Sequence, residues 1–60
     1  MKIRIKHCYA FGVQFGNLKD GSIHEVIRED RKRGRVRGWW VMGVGERVLV
    51  LTDEAKIVEN

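Results

Sequence analysis

Two tryptophans stand side by side in GWWVMG at residues 38–43, and a second apolar run, VLVL, follows at residues 48–51. An earlier stretch, LKDGSI at residues 18–23, joins turn residues to the start of another apolar segment. In a chain of 60 residues, adjacent tryptophans must fill the core, form an exposed binding surface, or contribute one ring to each. Together the three stretches predict a very small β-barrel.

The period of the apolar residues extends this β prediction to the rest of the chain. KIRIK at residues 2–6 alternates strictly, so it predicts a strand with its isoleucines inward and a basic outer face. Residues 22–28 predict a second strand, in which the spacing of the apolar residues indicates a bulge. The third, fourth and fifth strands are predicted at residues 38–44, 48–51 and 56–59.

The segments between these strands carry turn or charge signals. Residues 9–21 predict a long, partly self-packed loop, because glycine, asparagine and aspartate interrupt its apolar residues. Residues 29–37 predict a charged hairpin connection, and residues 45–47 a short reversal. Residues 52–55 predict one helical turn, capped by a threonine or an aspartate. No apolar stripe at helical spacing lasts three turns, so the chain is predicted to be all-β.

In their order and in several residues, these elements resemble the Src-homology-3 barrel. Residues 18–23 and Val26 are similar to the family's leucine, turn glycine and first core strand. Residues 38–40 resemble its paired tryptophans, residues 48–51 lie where its fourth strand is expected, and residues 55–58 resemble its one-turn helix. The resemblance implies a five-stranded Src-homology-3-like barrel with a long first loop and one short helical turn before the last strand.

This resemblance implies a single small β-barrel domain over residues 1–60 and suggests a mode of binding. The family binds proline-rich peptides across aromatic side chains, and the first tryptophan of its pair, matching Trp39, stands in that groove. Here no proline precedes the helical turn, no tyrosine lies within it, and Tyr9 is the only tyrosine. The resemblance therefore supports the Src-homology-3-like fold more strongly than it supports binding of proline-rich peptides. Prokaryotic and viral barrels of similar shape bind proteins, nucleic acids or copies of themselves.

The composition indicates which cellular compartment and which kinds of partner the protein is expected to have. Twelve basic and eight acidic side chains leave a formal charge of +4, which permits a nucleic acid or an acidic protein as partner. Cys8 is the only cysteine and can form no intramolecular disulfide, which indicates a reducing compartment. The apolar runs are far shorter than the ~20 residues that cross a bilayer. We expect a cytoplasmic protein of bacterial or phage type, in the host cytoplasm if phage-encoded, with no membrane association.

The two apolar runs also predict a docking surface. A small barrel's strand needs apolar residues only at inward positions, yet residues 39–42 and 48–51 are apolar at four consecutive positions. In one hairpin their outer faces would form an apolar patch, which predicts a protein-docking or homodimer surface containing Trp39. The sequence does not determine which of the two tryptophans faces solvent. Alternatively, the loop at residues 9–21 folds over the patch. The predicted partner-binding residues are Trp39, Trp40, Met42, Tyr9, Arg37 and Arg47.

A basic run beside the tryptophans supports a second hypothesis. Residues 28–37 (REDRKRGRVR) contain six basic side chains, which could neutralise phosphates while Trp39 or Tyr9 stacks on a base. The alternatives are a simple solvated loop and the steering of an acidic protein. A second basic stripe on the first strand could instead protect a sheet edge. The candidate phosphate or acidic-partner contacts are Arg31, Lys32, Arg33, Arg35, Lys2, Arg4 and Lys6.

Catalytic and metal chemistry find little support in the residues. His7, Cys8 and His24 are the only strong nitrogen and sulfur ligands, whereas structural zinc needs four. No glycine-rich phosphate motif is present, and plasmid-borne barrel dihydrofolate reductases carry Val-Gln-Ile-Tyr where this chain has VLVL. We expect no enzyme, cofactor, metal or small-molecule substrate. The leading hypothesis is a module that docks a protein or a second copy of itself; the alternative is a nucleic-acid-binding barrel.

Overall fold

Five antiparallel strands make up the computed structural model of the chain, which describes residues 1–60. The strands are β1 (Lys2–Ile5), β2 (Ile23–Lys32), β3 (Arg35–Met42), β4 (Arg47–Leu51) and β5 (Ala55–Glu59). They form one sheet in the order β4-β3-β2-β1-β5, and a single 3-10 helix, Val13–Phe15, lies between β1 and β2. The prediction of an all-β chain with five strands is confirmed. The sheet is not closed, so β4 and β5 each have a free edge.

The core lies on one face of this sheet and follows from period-two alternation. In β1 the two isoleucines are buried between exposed or half-buried basic residues, and in β4 Val48 and Val50 are buried on either side of Leu49. The loop contributes Leu18, which is buried. The buried cluster consists of Ile3, Ile5, Leu18, Trp39, Val41, Val48, Val50 and Ala55.

The charged segment at residues 29–37 is not the predicted loop. β2 continues to Lys32 and β3 already begins at Arg35, so only Arg33 and Gly34 form the turn. Both turn residues have positive φ, 53° and 79°, which is the backbone of a type I′ turn and matches the twist of two paired strands. Charged side chains exposed to water do not prevent strand pairing. The charged run therefore belongs to two paired strands rather than to a loop.

Two irregularities shift the register between β2 and β3. One lies between Val26 and Arg28, close to the predicted bulge, and the other lies between Asp30 and Arg31. Gly38 lies inside β3 rather than at its start. A Cβ at Gly38 would meet the backbone carbonyl of Val50 on β4. Glycine is therefore required there for the close approach of the two strands.

The predicted helical turn before the last strand is also wrong. Residues 52–54 form a turn without helix, in which the Glu54 carboxylate is buried, with the residue 4% exposed. That carboxylate accepts the backbone N–H of Leu51 at 2.9 Å and that of Tyr9 at 2.7 Å. It thereby satisfies a local and a distant donor, which a helical turn would not do.

No helix in the structure is long and apolar enough to cross a membrane.

Candidate nucleic-acid interface

The two adjacent tryptophans lie on opposite faces of β3. Trp39 pairs with Val50 and is 5% exposed in the core, where its Nε1 has no hydrogen-bond partner. Trp40 pairs with Leu49 on the other face and is half-buried. Trp39 therefore does not contribute to an exposed docking surface, as the sequence had suggested, because its face of β3 is the one that Val41 also turns to the core.

The side of the sheet opposite the core is called the outer face here. On β3 and β4 it is largely apolar, and Met42 and Leu51 are 55% and 41% exposed. The loop at residues 9–21 does not cover it, because the loop bonds to the end of β3 and the turn after it through the Met42 carbonyl and the Val44 N–H. The outer face consists of Arg28, Trp40, Met42, Arg47, Leu49 and Leu51.

Asp30 connects Trp40 to the charged hairpin. Its carboxylate accepts the Trp40 Nε1–H at 3.2 Å and the Arg37 Nε–H at 2.6 Å. These two hydrogen bonds, that from Trp40 first, hold the pKa of Asp30 below its usual value of 3.8. The Arg28 guanidinium lies over the Trp40 ring, 5.6 Å from its centre. Trp40 and Arg37 are therefore both held in defined positions.

The end of the β2–β3 hairpin carries the only pocket of the structure. This open pocket is lined by four basic residues and no hydrophobic ones; we call the four the basic tip, and they are Lys32, Arg33, Arg35 and Arg37. Arg37 is paired with Asp30, whereas the other three form no ion pair. Three of the four cations are consequently available to a ligand.

Two of these unpaired cations face each other across the hairpin. Lys32 is the direct cross-strand partner of Arg35, so the two side chains project from the same face. Like charges in such a pair destabilise a hairpin. Arg31 is opposite Val36 and pairs with Glu29 at 3.1 Å, which separates it from the basic tip. The structure therefore concentrates uncompensated positive charge at one place.

The other predicted basic stripe lies elsewhere. Lys2 and Arg4 lie on β1, which is hydrogen-bonded to β2 on one side and to β5 on the other, and Lys6 follows that strand. The explanation that they protect a sheet edge is wrong, because β1 is an interior strand. β1 pairs with the start of β2, around His24, and the basic tip lies at the far end of β2.

The remaining predicted residues are not gathered at the basic tip. Arg47 is opposite Met42 at the other end of the outer face. Tyr9 lies in the loop, where its ring packs edge-on against His7, 4.8 Å between centres. No three His, Cys, Asp or Glu side chains form a group that could hold a metal ion.

Sequence reasoning missed two residues of this region, Arg28 on Trp40 and Asp30 between Trp40 and Arg37. Alternation along β2 is the signal that could have placed both on the outer side of the sheet, had the strand been extended through the charged run.

No family model, curated protein or solved structure matches the chain. The functional argument therefore depends on the residues and their geometry alone.

Proposed function

We propose that the protein is a non-enzymatic nucleic-acid-binding module whose basic tip binds backbone phosphates. The observation that carries this proposal is the uncompensated charge of Lys32, Arg33 and Arg35 around one open pocket. A bound phosphate would relieve the repulsion between Lys32 and Arg35 and would accept hydrogen bonds from the guanidinium groups. The pocket is lined by no hydrophobic residue, so its cationic groups favour an anionic ligand.

The surroundings of the basic tip support an extended anion. Asp30 contacts the basic tip through Arg37 at 2.6 Å, and its charge is matched by that arginine. The net charge of +4 would steer a polyanion toward the protein. A nucleic acid presents phosphates at regular intervals, so several tip cations can be engaged together.

Salt dependence tests this proposal. If Lys32, Arg33 and Arg35 each contact one phosphate of a duplex, affinity falls about 40-fold between about 50 mM and about 200 mM salt, as three released counterions require. For the Lys32→Ala/Arg35→Ala variant, the same change of salt lowers affinity only about 3- to 4-fold. Fluorescence anisotropy of a labelled oligonucleotide of about 20 base pairs measures both.

The matched control removes the same charge from another region. Lys19→Ala/Lys56→Ala deletes two exposed lysines that form no ion pair and lie outside the hairpin. It should retain the salt slope of the unmodified protein. Absence of binding, an equal loss in the control variant, or preferential binding of a polyglutamate peptide over the oligonucleotide would each contradict the proposal; the last would identify an acidic protein as the ligand.

The exposed part of the outer face supports a second candidate function, docking of a protein or a second copy of the chain. Met42 and Leu51 flank Trp40 and Leu49, and no segment of the chain covers them. Self-association would appear in sedimentation velocity as a mass that rises with concentration. Leu49→Glu should abolish it, whereas Ile57→Glu on β5 should not. A monomer at all concentrations would exclude the homodimer.

We also propose that the strands follow a Src-homology-3-like arrangement. In support, β5 returns to pair with β1, and a long loop separates β1 from β2. Trp39 matches the tryptophan of the family's peptide groove, and it is buried here. This burial argues against proline-rich peptides as the ligand.

A further inference from the structure

The end of the β2–β3 hairpin is a two-stranded ribbon that extends past its neighbours. β4 last pairs with β3 at Gly38, and β1 reaches β2 only as far as Glu25. Two further backbone bonds extend these pairings, from Val26 to the carbonyl of Met1 and from Thr52 to the carbonyl of Arg37. Beyond these bonds the backbone of residues 31–36 pairs only within the hairpin, while the Arg31 side chain bonds back to Glu29 and Val36 packs against the core.

From this shape we infer that the nucleic acid is duplex DNA and that the hairpin end enters its major groove, an inference that rests on the proposed function. Two strands lie about 5 Å apart. The major groove of B-form DNA is about 12 Å wide and admits a two-stranded ribbon. The ribbon formed by residues 31–36 therefore has the cross-section that this groove accepts.

The side chains of the ribbon suit one wall and the floor of that groove. Lys32 and Arg35 project from one face, Arg31 projects from the other, and Arg33 stands at the turn. Lys32 and Arg35 can reach the phosphates along one wall of the groove, whereas Arg31 on the other face is held by Glu29. The arginine at the turn can donate two hydrogen bonds to a guanine edge, the commonest specific contact in major grooves.

A single strand fits this hairpin less well. Proteins that bind single strands stack bases on exposed aromatic rings, and residues 31–37 contain no aromatic side chain. The nearest ring, that of Trp40, is covered by Arg28 and bonded to Asp30, and Trp39 is buried. Duplex RNA is disfavoured as well, because its major groove is too deep and narrow for side chains to read.

Three probes of one sequence test the inference: duplex DNA, duplex RNA and single-stranded DNA. The unmodified protein should bind duplex DNA about tenfold or more tightly than either alternative at about 50 mM salt. It should also protect guanine N7, a major-groove atom, from methylation. A minor-groove ligand of the netropsin type should not displace it.

The hairpin variants complete the test. Lys32→Ala/Arg35→Ala should lose the N7 protection, whereas Lys19→Ala/Lys56→Ala should retain it. Near-ultraviolet circular dichroism of the buried Trp39 checks that each variant remains folded. Equal or tighter binding to single-stranded DNA or duplex RNA, or displacement by the minor-groove ligand, would overturn the inference while leaving nucleic-acid binding intact. Failure to bind any of the three probes would overturn both.

Discussion

Trp39 and Trp40 are chemically identical neighbours with different roles, because successive residues of a strand point to opposite faces. Trp39 fills the core beside Val41. Its buried Nε1–H donates no hydrogen bond, so the ring is held by packing alone. Trp40 lies on the outer face with its Nε1–H bonded to Asp30. Burial makes the first a stability residue, whereas the second is half-buried beneath the Arg28 guanidinium.

Truncation should separate these two roles. Trp39→Ala should lower the free energy of unfolding by about 3–5 kcal/mol, because it leaves a large cavity in a small core. Trp40→Ala should cost less and leave a folded protein, since the ring is already partly hydrated. Urea denaturation followed by far-ultraviolet circular dichroism measures both. A larger loss for Trp40→Ala would contradict the assignment of faces.

Asp30 makes the hairpin sensitive to acid. Because its pKa in the folded state lies below 3.8, its contribution to stability is complete above that pH and is lost as the pH falls through the folded-state pKa. Asp30→Asn should therefore be less stable than the unmodified protein near neutral pH. The difference should shrink as the pH is lowered below 3.8.

Thermal unfolding across this range of pH measures the effect. Asp53→Asn, at an exposed aspartate in the turn after β4, is the control, and its difference from the unmodified protein should stay small throughout. A difference for Asp30→Asn that does not change with pH would show that the carboxylate charge is unimportant.

At the scale of elements, two connections decide the shape of the molecule. The type I′ turn at Arg33 and Gly34 lets β2 and β3 continue as a ribbon. The turn between β4 and β5 holds Glu54, which ties the first loop to the end of β4 through two backbone N–H groups. The first connection exposes charge, and the second closes the core.

Removal of the Glu54 carboxylate should open the second connection. Glu54→Ala leaves the N–H groups of Tyr9 and Leu51 without acceptors in a part-buried site. We expect a loss of about 2–4 kcal/mol in the free energy of unfolding. Asp53→Ala, one residue earlier and exposed, should change it by less than about 0.5 kcal/mol. Equal effects in urea denaturation would contradict this role.

At the scale of the whole molecule, a 60-residue chain has a small core and therefore modest stability, so ligand binding should change its unfolding noticeably. Duplex DNA at about 100 times its dissociation constant adds about 2.7 kcal/mol to the free energy of unfolding. For a domain of this size the Tm should rise by roughly 10–20 °C.

Differential scanning fluorimetry with duplex DNA measures that shift. The Lys32→Ala/Arg35→Ala variant should show a much smaller shift at the same DNA concentration, since two of its phosphate contacts are removed. An undiminished shift in this variant would locate the DNA-binding surface away from the basic tip.

Local pattern predicted the strands best where apolar and polar residues alternate. KIRIK at residues 2–6 and VLVL at residues 48–51 were predicted as strands and are strands within one residue. The charged run was misread because strand pairing there depends on a turn conformation and on a partner strand rather than on alternation. The helical turn before β5 was misread because Glu54 bonds to Tyr9, which lies 45 residues away.

The candidate site was likewise predicted only in part from the sequence. The basic residues of the hairpin were recognised from the sequence, but their ion pairs were not, because Arg37 meets Asp30 only through the register of β2 and β3. Arg28 was left out because its contact with Trp40 also crosses between strands.

The sequence by itself determined that the chain is β, that the isoleucines of KIRIK point inward, and that its positive charge is concentrated between Arg28 and Arg37. These properties follow from residue type and from the two-residue repeat of a strand, both of which are local. Only the tertiary structure decided which tryptophan is buried and which cations remain unpaired. Both outcomes depend on strand register and on partners distant in sequence, and no local pattern encodes them.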